Sequence, residues 1–138
     1  MSEAATTSAA TTSTGATCLV DAASGLDDTW SPRVAGRVND VLVKVARIEG
    51  EFVWHDHPAT DEAFLVLSGR LRLRVRDGAP ERERTIDMEP GDFFVVPRGV
   101  EHCPVAEPGT SIALMEAAGT VNTGAAGGSL TAPVDQPL

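Results

Sequence analysis

The sequence predicts an all-β protein, built as a sandwich or a barrel. Between about residues 29 and 123, period-two alternation recurs, most clearly in Val41–Ala46 and Arg70–Arg76. Such alternation is typical of strands with one buried face. Turn signals such as Pro90-Gly91 and Pro108-Gly109 separate the segments, and the region has no convincing helical periodicity. Short strands punctuated in this way indicate a sandwich or barrel.

The first half of this region supplies three predicted strands: Val41–Ala46, Glu51–His57 and Glu62–Val66. The first has valine at every second position. Because successive side chains of a strand point to opposite faces, the second has His55 and His57 on one face and Phe52 and Trp54 on the other. Pro58 and the small residues after it favour a turn, so the third strand returns beside the second.

The second half supplies three more: Arg70–Arg76, Phe93–Val96 and Ser111–Glu116. In the first of these, apolar residues alternate with arginines. Since the apolar side chains must face the core, we expect the arginines to face solvent and to pair with acids on neighbouring strands. The other two are short apolar runs that turn residues separate from the rest of the chain.

The two ends of the chain differ from this middle region. Ala, Ser and Thr make up fourteen of the first seventeen residues, and such a segment buries too little apolar surface to offset its ordering entropy. We therefore predict a disordered, low-complexity N-terminal segment over residues 1–28, a barrel domain over 29–123 and a Gly/Ala/Pro-rich tail over 124–138. That tail is either flexible or laid along the domain surface.

Composition excludes several classes of protein. Eleven basic against 20 acidic residues give a formal net charge of −9, which argues against nucleic acid and anionic membrane as partners. The longest uncharged apolar run, Ala63–Leu67, is far shorter than the roughly 20 residues that span a bilayer. The first residues lack the features of a signal peptide. Cys18 and Cys103 are too few for a disulfide scaffold. We expect a soluble, cytoplasmic protein.

All three histidines of the chain fall in a pattern that metal sites use. His55 and His57 are two residues apart, so on a strand their imidazoles lie on one face, about 6.6 Å apart at a rise of about 3.3 Å per residue. Glu62 follows after the turn, with apolar neighbours on its face, and a buried carboxylate needs a charged partner. His102 comes after a later turn and reaches the same interior in a closed barrel.

These four residues form a ligand set for Fe(II), Mn(II), Zn(II) or Ni(II). A set without thiolate disfavours a structural Cys-type zinc site. Taken singly, each residue has an ordinary alternative: a surface His-x-His pair, a solvated glutamate or a loop histidine. The joint pattern favours one divalent metal ion.

Two motifs of this chain resemble those of the cupins. Gly50-x4-His55-x-His57-x4-Glu62-x6-Gly69 is similar to the first cupin motif, and Gly91-x5-Pro97-x-Gly99-x2-His102 is similar to the second. The resemblance covers about residues 40–118. The phrases around both motifs look like a group of small bacterial single-domain cupins, many of them labelled mannose-6-phosphate isomerase-like.

The resemblance implies a jelly-roll β-barrel of six to eight strands and a homodimer. It also implies that one divalent metal is held inside the barrel by His55, His57, Glu62 and His102. The second motif often ends in Asn four residues after its histidine, where this chain has Ala106.

Two classes of function follow for a small-molecule partner. The first is a metal-dependent enzyme that acts on a small oxygen-rich substrate, by Lewis-acid isomerisation or by Fe(II)-dependent oxygenation. There, Glu62 either remains a ligand or also serves as acid and base. The alternative is a non-catalytic module that binds or senses a sugar or small acid. The absence of tyrosine excludes a phenolic acid or base.

Overall fold

The computed structural model describes residues 15–138, and it confirms the all-β prediction. These residues form one short helix and seven strands: α1 (Leu19–Ser24), β1 (Arg33–Val38), β2 (Val41–Glu51), β3 (Glu62–Ser68), β4 (Leu71–Arg76), β5 (Glu83–Met88), β6 (Phe93–Val96) and β7 (Glu101–Ala117). A 3-10 turn, Pro80–Arg82, precedes β5. No helix among the described residues has the length and apolar content needed to cross a membrane.

The long strand β7 organises the barrel. It pairs antiparallel with β2 on one edge, and on the other edge its first part pairs with β4 and its second part with β3. The main path of the sheet is therefore β1-β2-β7-β3-β6, with β5 beyond β4. The turn expected at Pro108-Gly109 is instead an irregularity inside β7, where Gly109 has a φ of 82°. This irregularity lets one strand bend between two partners.

The barrel interior is filled by the alternate side chains of the strands. Leu71, Leu73 and Val75 on β4 are fully buried, and they join an apolar cluster with residues of β2, β3 and β7. The arginines between them point outward as expected. Arg74, for example, donates from Nε to Glu83 Oε2 at 2.8 Å. Alternation alone was enough to orient this strand.

The helix α1 covers the outside of the sheet, and sequence reasoning missed it. Ala23 is completely buried and packs with Val45 and Ala113, while Leu19 and Leu26 pack at the margin of that cluster. The signal was a short apolar pattern of helical period next to a segment rich in small residues. It lies within the span predicted as disordered, whose residues 1–14 are outside the described part of the chain. The domain boundaries stay predictions.

The C-terminal segment, residues 124–138, lies along the barrel surface, one of the two expected arrangements. Val34 N–H donates to Gln136 O at 2.7 Å, so β1 gains a short parallel neighbour. Asp135 Oδ1 lies 2.8 Å from Lys44 Nζ. Just before the segment, the Asn122 amide donates to Trp30 O and to Leu130 O. The segment is thereby tied to β1, to β2 and to the chain before β1.

The strand predicted over Glu51–His57 is the main departure from the sequence expectation. Strand β2 ends at Glu51, just after Gly50 with a φ of 78°, and only His55 forms a bridge beyond it. The chain is no longer pleated there, so Phe52 turns into the core and stacks on Trp30 at a centroid distance of 4.4 Å. Sequence analysis missed β1 and gave no bounds for β5, although it expected acids such as Glu83 or Asp87 on a strand beside the arginines; both strands have few buried apolar side chains.

Candidate metal centre

The four predicted ligands meet inside the barrel from three separate parts of the chain. His55 and His57 lie in the segment after β2, Glu62 begins β3, and His102 is the second residue of β7. All four side chains are buried. One candidate ligand atom from each lies within 4.8 Å of the others. Ligand atoms around one ion lie about 3–4 Å apart, because metal–ligand bonds are about 2.0–2.2 Å. The cluster therefore has the scale of a single coordination sphere.

Backbone carbonyls set which ring nitrogen of two histidines faces the cluster. His55 Nδ1 lies 2.8 Å from Val53 O, and His102 Nδ1 lies 2.9 Å from Val100 O. A carbonyl oxygen can only accept, so each Nδ1 carries the hydrogen and each Nε2 keeps a lone pair. The same arrangement orients metal-bound histidines in many proteins.

The contacts of Glu62 test whether a cation fits between these side chains. Glu62 Oε1 lies 3.0 Å from His102 Nε2 and 3.3 Å from His57 Nε2. His57 Nε2 is buried and makes no hydrogen bond among the described residues. Lone pairs of Nε2 and of a carboxylate oxygen repel each other unless a proton or a metal cation lies between them. The donor set and the close approach thus fit a divalent ion.

The pKa values of His55 and Glu62 favour the protonation states that bind a metal cation. Burial, together with the neighbouring His102, lowers the pKa of His55 to about 4, so its imidazole is neutral near pH 7. Burial acts to raise the pKa of Glu62, but the neighbouring Glu116, His102 and His57 side chains outweigh it and hold that pKa well below its usual range. A neutral imidazole and an ionised carboxylate are the forms that bind metal.

An apolar pocket opens onto one side of the cluster. His55 and Glu62 line it together with a group of apolar side chains: Trp30, Ile48, Phe52, Phe64, Ile112 and Leu114. Among the described residues, neither Lys nor Arg lines this pocket. A ligand that approaches the cluster through this pocket contacts apolar side chains. No lysine or arginine of the described lining would neutralise a phosphate group on that ligand.

Sequence analysis missed two charged residues beside the cluster, Glu116 and its ion-pair partner Lys44. Glu116, near the end of β7, lines the same pocket and lies across from Glu62 in the pairing of β7 with β3. Burial and the neighbouring Glu62 raise the pKa of Glu116 to about 9, against the opposing effect of Lys44. The pKa values of the two carboxyl groups are therefore displaced in opposite directions. The available signal was that Glu116 shares the inward face of β7 with Ile112 and Leu114.

Several other residues that drew notice in the sequence lie away from the cluster. Cys103 is buried and lies opposite Arg74 on the neighbouring strand, not beside the metal ligands. Trp54 lies outside the barrel, with the Arg76 guanidinium 3.7 Å from its ring centroid. The Arg70–Arg76 stripe therefore belongs to the outer surface, where it pairs with acids.

Comparison with known proteins agrees with this fold and this cluster. The family described as Cupin domain matches residues 41–115, more than half of the chain and a span that includes all four clustered residues. The chain belongs to the cupin family. A buried His/Glu group inside the barrel is what a cupin metal site requires, so the cluster is that of a metal-binding cupin.

Two solved structures that are similar to this chain differ in sequence identity and in coverage. A cupin-2 domain protein of Shewanella frigidimarina is 40% identical, with 68% of this chain and 86% of that chain covered and a TM-score of 0.61. A hydroquinone 1,2-dioxygenase of Sphingomonas sp. TTNP3, solved with 4-hydroxybenzoate bound, is 26% identical over 75% of this chain and 32% of its own, with a TM-score of 0.65.

A curated relative, YdbB of Bacillus subtilis, is 37% identical over 65 residues. That match spans 47% of this chain and about half, 53%, of the relative. YdbB is uncharacterised, so it adds to the family assignment and not to the activity.

Proposed function

We propose that this cupin is a metal-dependent enzyme that acts on a small oxygen-bearing substrate with an apolar body. His55, His57, Glu62 and His102 would hold one divalent metal ion. The observation that carries the proposal is that this buried group opens directly into an apolar pocket. A substrate oxygen would reach the centre while the remainder of the molecule packs against Trp30, Phe52 and their apolar neighbours.

Dioxygen-dependent cleavage is the reaction class that we favour. Iron(II), when bound, would supply electrons for dioxygen and an acid centre for a substrate oxygen. The chain's own contribution is to orient the substrate against the stacked Trp30 and Phe52 rings and to exclude water. The Sphingomonas relative, named as a hydroquinone dioxygenase, supports this choice. Neither lysine nor arginine lines the described pocket, which weighs against a sugar phosphate as the substrate. The same observation weighs against a mannose-6-phosphate isomerase-like activity.

Lewis-acid isomerisation is the second candidate, because a specific observation favours it. Glu62 and Glu116 form a carboxyl pair in the pocket, with the pKa of Glu62 held low and that of Glu116 raised to about 9. Such a pair can accept a proton from a carbon next to a carbonyl and return it elsewhere. In this reaction Glu62 would act as acid and base, as the sequence analysis envisaged.

Oxygen uptake by iron-loaded protein tests the two candidates against each other. Protein loaded with Fe(II) without air would be mixed with small dihydroxybenzenes, including hydroquinone and catechol, and oxygen consumption followed together with product absorbance. We expect uptake with at least one diol, and its loss in His57→Ala but not in the outward-facing Glu101→Gln. Turnover without oxygen uptake would favour isomerisation. A ligand-induced thermal shift with no product would favour the non-catalytic binding module.

The homodimer remains a proposal that the edge of the sheet supports. Within residues 15–138, strand β6 pairs with β3 alone, and its outer side chains Phe93 and Val95 are 57% and 42% exposed. Edge strands with apolar side chains favour pairing with another chain. Light scattering on the purified protein should give twice the 14.4 kDa chain mass. A monomer over a wide concentration range would contradict the proposal.

A further inference from the structure

A line of charged side chains runs from the metal cluster to the C-terminal segment. Glu116 lies across from Glu62 in the pairing of β7 with β3, Lys44 Nζ lies 2.7 Å from Glu116 Oε2, and the same Nζ lies 2.8 Å from Asp135 Oδ1. Glu62, Glu116 and Lys44 are each at most 4% exposed. A contiguous polar path therefore joins a candidate metal ligand to the surface, through the wall of the barrel.

Strand register fixes this line. Ala63 on β3 lies opposite Met115 on β7, so Glu62 and Glu116 are the next residues on the two strands and share the inward face. On the other edge of β7, Leu42 lies opposite Glu116, and Lys44 is two residues farther along β2 on the same face. Because sheet hydrogen bonds hold these three backbones, the carboxyl pair and the ammonium are not an accident of mobile side chains.

The cost of burying these groups argues that they do more than fill space. Replacing a buried ion pair by apolar residues of similar volume is often neutral or stabilising. Leu114 and Ile112 fill neighbouring inward positions of β7 with apolar side chains. Glu116 Oε1 is buried and receives no hydrogen bond from a donor in the described part of the chain. Glu62 lies across from it on the neighbouring strand β3.

We propose that Glu116 is a positioning residue for Glu62, with Lys44 as its anchor and Asp135 as the contact that links the C-terminal segment to the centre. This inference rests on the proposed metal-binding function. Lys44 holds one oxygen of Glu116, which leaves the other to restrict rotation of the Glu62 carboxyl. Groups that hold a metal ligand in this way commonly change metal affinity 10–100-fold when they are removed.

Titration with Co(II) tests the proposal without any turnover assay. Cobalt affinity would be measured by competition with a chelator, and the visible absorption of bound Co(II) would report the coordination of the ion. We expect Glu116→Leu to weaken binding about 10–100-fold and to change the spectrum. Glu116→Gln should retain both, because it keeps the length and the polar end of the side chain beside Glu62. Glu101→Gln is the matched control, one residue from His102 but facing outward.

Three further variants test the contact with the C-terminal segment and provide for a folding defect. Asp135→Asn, at the half-buried outer end of the line, should weaken Co(II) binding by about twofold to fivefold, a smaller change than at Glu116 because it acts through Lys44. Gln136→Ala, which loses only the hydrogen bond to Ser31 Oγ, should not change it. If circular dichroism shows that Glu116→Leu does not fold, Glu116→Asp replaces it, since its shorter carboxyl withdraws from Glu62.

The outcomes separate this inference from the proposed function. Wild-type protein that binds no Co(II) would overturn both. Wild-type protein that binds one Co(II), together with a folded Glu116→Leu of equal affinity and identical spectrum, would overturn the positioning role alone. Unchanged affinity in Asp135→Asn would overturn the part assigned to the C-terminal segment.

Discussion

His55 and His102 hold each other through two backbone hydrogen bonds. His55 N–H donates to His102 O at 3.1 Å, and His102 N–H donates to His55 O at 2.9 Å. This antiparallel bridge is separate from the strand pairings of the sheet. The centroids of the two imidazole rings lie 4.2 Å apart. A histidine outside regular structure is thereby fixed against the start of β7. Two of the four clustered side chains owe their spacing to the main chain.

Divalent metal should stabilise the folded protein, because the clustered side chains are assembled only in that state. At a free metal concentration of 100 times Kd, the free energy of unfolding should rise by about 2.7 kcal/mol. Thermal or urea unfolding with Mn(II), Fe(II) or Zn(II), and with excess chelator, would measure this rise. His57→Ala should show no metal-dependent increase. An equal increase in that variant would place the bound metal elsewhere.

Substitutions on the buried face of β4 should lower the free energy of unfolding much more than substitutions on its exposed face. Leu73 is fully buried, so Leu73→Ala should lower the free energy of unfolding by about 2–5 kcal/mol. Arg72, its outward neighbour, is exposed, and Arg72→Ala should change it by no more than about 0.5 kcal/mol. Urea denaturation of both variants checks the pair. Similar losses at the two positions would contradict the orientation of the strand.

Two glycines in turns should differ in their tolerance of a methyl group. Gly69 and Gly78 both have positive φ, at 78° and 95°, so alanine strains the backbone at either position. At Gly69 the new Cβ would also lie 2.5 Å from Thr110 Cα, whereas at Gly78 it meets open space. Gly69→Ala should therefore cost about 1–3 kcal/mol more than Gly78→Ala. Equal unfolding midpoints would contradict this close approach.

The two cysteines should react with thiol reagents at very different rates. Cys18 is exposed and Cys103 is buried. Burial raises the pKa of the Cys103 thiol, so little of it is the reactive thiolate at pH 8. Native protein should show one fast-reacting thiol and denatured protein two. Fast reaction of Cys103 in the native protein, tested in a Cys18→Ser background, would contradict the packing around β7.

The candidate metal cluster could be predicted from the sequence because its residue types and spacing are distinctive. His55, His57, Glu62 and His102 use every histidine of the chain, and the structure brings all four together. The local conformation around them was less predictable. A period-two pattern cannot distinguish a strand from the irregular segment after Gly50, where one positive φ ends the pleat.

Other features depend on tertiary contacts that alternation does not encode. Helix α1 has only six residues, and it is stabilised by burial of Ala23 against the outer face of the sheet. Lys44 and Glu116 look like ordinary strand charges until the register sets them side by side. The C-terminal segment is composed like a loose tail, yet a single buried ammonium gives Asp135 a partner.

Metal content of the purified protein is the most direct test of the central claim. Elemental analysis would be made on protein purified with and without air, beside His57→Ala, His102→Ala and the outward-facing Glu101→Gln. The account predicts about one divalent metal per chain in wild type and in Glu101→Gln, and its loss from both histidine variants while they remain folded. Wild-type protein that holds no metal under either condition, even after incubation with Fe(II), Mn(II), Zn(II) or Ni(II), would contradict it.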